Sequence, residues 1–231
     1  MRFVNKQRLI PNIFSEIVDP VLLAPVNNGY NNLGNLKPRL LEILIDEQNG
    51  LCAYCNQKIT YRSATVEHLI CQSHNPNYDL NYHNIFAVCQ GNEGRVETSH
   101  CDKFRANGKR NDYFIPFILL KKCVTLSWDS VNPFFDVEFN RRSGIVSGKI
   151  IAKEANIDGY PTMNPCVEYA INSLNLNAQV LVDARKEKWN QVLEIQEAHN
   201  YNWIDLFNYY LDTNPYTDFC EFVLLAIRKQ V

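Results

Sequence analysis

The spacing of apolar and polar positions changes several times along the chain, and the changes divide it into regions. The first 35 residues carry no sustained period. Pro11, Pro20 and Pro25 interrupt them, and the Asn- and Gly-rich stretch from Asn27 to Asn35 reads as loop. Leu40, Leu41, Ile43, Leu44 and Ile45 then form an apolar helical run, with Pro38 in its first turn and Gly50 as its C-cap. Short β-compatible runs follow at Lys58–Arg62 and Thr65–Ile70. A third, at His83–Cys89, comes after the Ser-, His-, Asn- and Pro-bearing loop Cys71–Asn81. A polar insertion, Gln90–Ser99, leads to His100-Cys101-Asp102-Lys103, where a short helix reaching about Asn107 is expected.

Further on, Thr125–Trp128, Phe135–Asn140 and Ile145–Ile151 read as strands, and Arg141-Arg142-Ser143-Gly144 as a hairpin turn. From Cys166 the pattern is helical. Asn177 is placed to cap a long helix through about His199, and Asn214 or Pro215 to start a last one rich in Phe219, Phe222, Val223, Leu225 and Ile227. Short strands and helices in this order predict an α+β fold.

Composition narrows the picture. The chain of 231 residues is 46% hydrophobic and 21% charged, which excludes wholesale disorder and fibrous architectures. Its 23 Lys and Arg against 25 Asp and Glu give a formal charge of −2, so any nucleic-acid contact must be local. The longest apolar runs, such as Phe114–Leu120, fall far short of the roughly 18 residues needed to span a bilayer, so no membrane association is expected. The opening Met1-Arg-Phe-Val-Asn-Lys-Gln-Arg8 lacks the apolar core of a secretory signal, so a reducing cytoplasm is expected. There, clustered cysteines serve more often as metal ligands or catalytic groups than as disulfides.

The chain has eight cysteines. Cys52-x-x-Cys55 follows a helix and precedes a hairpin, unlike the strand-end position of a thioredoxin-like redox pair. Cys89 and Cys101, flanking the insertion, complete a four-thiolate zinc site, with His100 as an alternative to Cys101. Such a site staples a module whose own core is thin. Cys71, Cys123, Cys166 and Cys220 read as small buried hydrophobes.

Between the cysteine pairs lie Glu67-His68, and next to Cys101 lies Asp102. Glu67 and Asp102 are hard oxygen ligands suited to Mg²⁺, and His68 is a base poised near neutral pH. Those are the groups that phosphodiester hydrolysis needs: a base to activate water and a cation to neutralise charge on the phosphate. Neighbouring residues on a strand face opposite ways, so Glu67 and His68 share one site only where the strand bends or ends.

Taken in order, Cys52-x-x-Cys55, Glu67-His68, Asn84-Ile85, Cys89 and Cys101-Asp102 resemble the HNH endonucleases of the ββα-metal type. The resemblance covers residues 45–110. It implies a zinc-stapled ββα centre with helical flanks and an additional β-hairpin. His68 would be the general base, Glu67 and Asp102 ligands of a catalytic Mg²⁺ or Mn²⁺, and Asn84 the residue that holds the loop orienting His68. The sequence departs from the family pattern in having Glu at 67, Asp at 102, Arg105 in place of a lysine, and a long gap between Cys89 and Cys101. Lys103, Arg105, Lys109 and Arg110 form the densest basic run and are candidates for phosphate contacts.

Residues 1–44 then read as an N-terminal segment with a lead-in helix, and 111–231 as an α/β extension, helical towards its end, for core and partner docking. Met1-Arg-Phe-Val with Pro11, the Phe135–Ile151 hairpin region, and Ile171–Asn177 followed by Leu181 and Arg185 are similar to the PtuB-type HNH proteins of Septu and retron antiphage systems. That similarity implies DNA cleavage, a PtuA-type ATPase partner and, where a retron is involved, its reverse transcriptase and nucleic acid. Two other readings compete: a zinc-stabilised module that binds protein or nucleic acid without catalysis, and a thiol redox protein using Cys52 and Cys55.

Overall fold

In the computed structural model, residues 12–22, 29–73, 76–92, 96–106, 134–153, 163–213 and 216–231 are described. The fold is mixed α+β, as expected, and is organised around two antiparallel strand pairs. The N-terminal part is more ordered than its prolines suggest. Helix α1 (Asn12–Leu22) has Pro20 near its end and buries Phe14, Ile17 and Val18, and a 3₁₀ stretch spans Tyr30–Leu36. The i, i+3, i+4 spacing of those three side chains makes one apolar face, and Pro20 falls where the helix is about to stop.

Helix α2 (Lys37–Glu47) has Pro38 in its first turn, buries Leu40, Leu41, Leu44 and Ile45, and ends where Gly50 (φ 74°) donates its N–H to Ile45 O at 2.9 Å. It packs against β1 (Ala64–His68) and β2 (Ile85–Cys89), which pair antiparallel with Glu67 opposite Phe86 and His68 opposite Ile85. Every residue of β2 is buried. Its outer edge is closed by side-chain and loop groups: Gln48 bonds both the N–H (2.8 Å) and the carbonyl (2.7 Å) of Ala87, and Ala53 N–H adds a bond to the same carbonyl at 3.1 Å. A buried strand edge needs such partners for its backbone groups. The expected strand Lys58–Arg62 is reduced to an isolated bridge between Leu51 and Lys58, because the chain turns at Thr60–Ser63. His83 and Asn84 belong to a 3₁₀ turn preceding β2 rather than to the strand itself. After β2, helix α3 (Cys101–Ala106) packs against that strand.

The second pair is β3 (Phe135–Asn140) and β4 (Ile145–Ala152), joined by the expected turn at 141–144, where Asn140 Oδ1 accepts from the N–H groups of Arg142 (3.0 Å) and Ser143 (3.2 Å). Helices α4 (Met163–Ser173) and α5 (Gln179–His199) pack on β4. The approach of α5 is close: a Cβ on Gly148 (φ 82°) would stand 2.5 Å from Val182 O. Asn177 does not cap α5. Its side chain is turned to β4, accepting from Ile150 N (2.9 Å) and donating to Ile150 O (2.8 Å), so it completes a strand edge instead. Helix α6 (Trp203–Asp212), capped by Asn202, precedes α7 (Cys220–Arg228), which starts later than Asn214 or Pro215 because Phe219 at φ 54° sets its first turn. The expected strand Thr125–Trp128 lies outside the described residues. No described helix is long and apolar enough to cross a membrane.

Candidate metal centre and adjoining cavity

The Sγ atoms of Cys52, Cys55, Cys89 and Cys101 all lie within 4.8 Å of one another, and all four side chains are buried. The Cys52–Cys101 separation is 4.0 Å and the Cys55–Cys89 separation 3.8 Å. Tetrahedral zinc with Zn–S bonds of about 2.3 Å sets its sulfurs about 3.8 Å apart, so the cluster has the dimensions of a zinc site. Burial pushes the Cys52 thiol up, but its bonds to the sulfurs of Cys101, Cys55 and Cys89 outweigh that and hold it well below the usual range; burial pushes Cys101 well above it. Four buried thiols ionise together only around a cation.

The two halves of the cluster are built differently. The first is a tight turn in which Cys52 N–H donates to Gln57 O (2.9 Å) and Asn56, at φ 62°, donates to Cys52 O (3.1 Å). The second spans the long gap between Cys89 and Cys101. At its neck His100 N–H donates to Gly91 O at 3.0 Å, so residues 92–99 leave and return at nearly one point. Gly91 has φ 57°, and a Cβ there would stand 2.1 Å from His100 O, which only glycine avoids. Cys101 and not His100 belongs to the group of four ligand atoms, and His100 Nδ1 sits beside it, 3.2 Å from Cys101 Sγ and 3.8 Å from Cys89 Sγ.

Beside the cluster, Glu67, His68, Cys71, Gln72, Asp102 and Arg105 line one cavity of about 210 Å³. Strand β1 ends at His68, and Leu69 N–H turns to Asn84 O (2.9 Å), which lets the two adjacent side chains reach the same space. Asn84 is buried and braces that turn: its Oδ1 accepts from Ile70 N (2.7 Å), and its Nδ2 donates to Ile70 O (3.1 Å) and Tyr78 O (2.9 Å). It touches the loop and not the cavity, so it is a positioning residue.

His68 Nε2 lies 2.9 Å from the Asp79 carbonyl oxygen and 3.2 Å from Asp79 Oδ1, with the Tyr30 ring edge-on at 4.9 Å. A carbonyl only accepts, so Nε2 carries the proton and Nδ1 is the basic nitrogen of the neutral ring. Burial lowers the His68 pKa, and the Asp79 charge opposes this. Asp79 is itself held by Tyr30 N–H (2.7 Å) and Gln72.

Glu67 is buried; its Oε1 accepts from Tyr54 Oη at 2.8 Å and pairs with Arg105. Its pKa is pushed up to about 8, first by burial and then by the charge of Asp102, with Arg105 opposing. The neighbouring Asp102 charge that raises the Glu67 carboxyl also favours positive charge between the two side chains. Among the described residues only the four cysteines bring three or more metal-ligating atoms so close together; Glu67, His68 and Asp102 do not form such a group.

Arg105 does not face solvent. It is buried, ion-paired with Glu67, and its Nη2 donates to Leu69 O at 2.7 Å, because the side chain of a short helix packed on β2 points into the hairpin. Lys103 lies half-buried on α3, while Lys109 and Arg110 lie outside the described residues. Cys71 is half-exposed at the cavity rather than buried, since it lies beyond the end of β1; Cys220 is buried as expected, and Cys123 and the side chain of Cys166 lie outside the described set.

Asp79 and Tyr54, which bond His68 and Glu67, and Gln72 in the cavity wall are not singled out by the sequence. Tyr54 occupies a spacer position between two cysteines, and Asp79 lies in a loop without period. No protein-family model matches the chain, and no curated protein matches it.

Proposed function

We propose that the chain is a metal-dependent HNH-type endonuclease that hydrolyses phosphodiester bonds in DNA, with a zinc-filled four-cysteine staple. The observation that carries this reading is one cavity lined by Glu67, His68 and Asp102, next to a cluster with zinc dimensions. Staple, base and carboxylates come from one small unit: the turn bearing Cys52 and Cys55, β1, β2 and α3.

In this mechanism His68 takes a proton from water at Nδ1, while the Asp79 carbonyl fixes the ring through Nε2. Asn84 holds the loop that carries Ile70 and Tyr78. Tyr54 and Arg105 hold the Glu67 carboxylate in place. Glu67 and Asp102 would hold a Mg²⁺ or Mn²⁺ ion, which would supply charge neutralisation on the phosphate and the leaving oxygen. Lys103, Lys109 and Arg110 remain the candidates for contact with the nucleic-acid backbone. With so little positive charge, the chain depends on a partner to hold DNA, and the Septu- and retron-like features propose a PtuA-type ATPase within an antiphage complex in the cytoplasm.

One observation favours a second reading, a zinc-stabilised binding module without catalysis: Glu67 already has a buried cationic partner in Arg105. A cleavage assay on the zinc-loaded full chain, with and without Mg²⁺ and with and without the proposed ATPase, separates the two. Metal-dependent nicking supports the nuclease, and binding of the partner and DNA with no cleavage supports the module.

A further inference from the structure

The helical part of the chain reaches the cysteine cluster directly. Cys101 N–H donates to Leu174 O (2.8 Å), Asn175 Nδ2 to Ser99 O (2.8 Å), and Phe219 N–H to Asn56 O (2.8 Å). Between these contacts sits Arg185 of α5, 1% exposed and among the largest fully buried side chains. Its Nη1 donates to Leu176 O (2.8 Å) and Gly148 O (3.4 Å), and its guanidinium lies 5.6 Å from the centroid of the Phe219 ring. Phe219 is the residue whose backbone bonds the first cysteine turn, so the cation is packed behind that turn.

Carbonyls and a ring face satisfy the donors of a guanidinium but do not neutralise it. Among the described residues no carboxylate pairs with Arg185. A buried cation with no counter-charge is costly, and burial accordingly lowers its pKa to about 10. Both anchors of the guanidinium lead to the cluster: Leu176 lies two residues beyond Leu174, whose carbonyl accepts from Cys101 N–H, and Phe219 N–H donates to Asn56 O beside Cys55. Four thiolates around Zn²⁺ would carry a net charge of −2 in a buried site. The buried dianion and the buried cation each lack what the other supplies.

We propose that Arg185 is the counter-ion of the four-cysteine metal centre, delivered by α5 so that the metal site and the C-terminal helices form one electrostatic unit. The proposal rests on zinc filling the cluster, not on nuclease activity. Zinc stoichiometry of the purified wild-type chain is therefore measured first. A chain isolated without zinc would remove the centre itself, whereas a zinc-bearing chain tests Arg185 alone.

Two variants of the full, zinc-loaded chain separate charge from packing. Arg185→Gln keeps a donor for the Leu176 carbonyl and loses the charge; Arg185→Lys keeps the charge and loses the planar fork. In competition with a chromophoric zinc chelator, the Gln chain is expected to bind zinc about tenfold or more weakly and the Lys chain within about threefold of wild type. In the Co²⁺-substituted protein, the thiolate-to-metal charge-transfer bands should move to lower energy in the Gln chain only. Wild-type affinity and unmoved bands in the Gln chain, or equal losses in both variants, overturn the proposal. If the Gln chain does not fold, a folded zinc-loaded Lys chain supports it. Failure of both contradicts it, since the fork and not the charge would then be the requirement.

Discussion

The backbone N–H of His100 donates to the carbonyl of Gly91 at 3.0 Å, and this bond closes the insertion that separates Cys89 from Cys101. Eleven positions of chain are thereby reduced to a short bridge between two cysteines whose sulfurs share one cluster. The arrangement needs a residue without a side chain at its neck. Gly91→Ala should destabilise the zinc-loaded chain by about 3 kcal/mol in urea unfolding and speed zinc loss. Gly144→Ala, also at positive φ but with nothing within 4 Å, should cost only about 1 kcal/mol and leave zinc in place. Equal effects at the two positions would count against the neck.

The choice between Cys101 and His100 as the fourth ligand has a direct consequence. Cys101→Ser should abolish stoichiometric zinc in native mass spectrometry and unfold the hairpin region, because the staple is lost. His100→Ala should retain one zinc per chain with reduced affinity. Zinc lost from the His100 variant and kept in the Cys101 variant would reverse the assignment.

Arg105 tests the inward reading of α3. Arg105→Ala leaves the Glu67 carboxylate buried with its cationic partner gone and should lower stability by about 3–5 kcal/mol. A surface arginine serving only phosphates would change stability by about 0.5 kcal/mol or less. Thermal and urea unfolding of the zinc-loaded variant distinguish the two outcomes.

Asn84→Ala removes three side-chain hydrogen bonds that brace the turn after His68 and should lower stability by about 2–4 kcal/mol. The cysteine cluster takes Cys89 from the opposite end of β2 from Asn84, so the zinc-loaded variant should keep its metal. If cleavage falls while zinc stoichiometry holds, Asn84 acts by positioning. Unchanged cleavage in a folded Asn84→Ala chain would remove it from the account.

Local chemistry makes much of this structure legible in the sequence. Pro38 and Gly50 bracket α2, the turn 141–144 joins β3 to β4, and the four cysteines meet as their order in the chain suggests. What failed was information carried by contacts distant in sequence. Asn177 has the side chain of a helix cap, but the exposed edge of β4 at Ile150 claims it. Arg105 sits in a basic run, yet a buried carboxylate from another element pulls it inward. Helix α1 was hidden by its prolines, although Phe14, Ile17 and Val18 form an apolar face once α2 is beside it. In the site itself, Glu67, His68 and Asp102 stood out by residue type, whereas Asp79 orients His68 mainly through its backbone carbonyl, a group every residue carries.

The central claim is that His68 is the base of a phosphodiester-cleaving site. The most direct measurement is Mg²⁺-dependent nicking of supercoiled plasmid DNA by the full zinc-loaded chain, with and without the proposed ATPase partner, comparing wild type with His68→Ala. The account predicts that the variant folds, keeps one zinc and loses cleavage by at least about 100-fold, the scale of a general base. Nicking retained at the wild-type rate by a folded His68→Ala chain would contradict it.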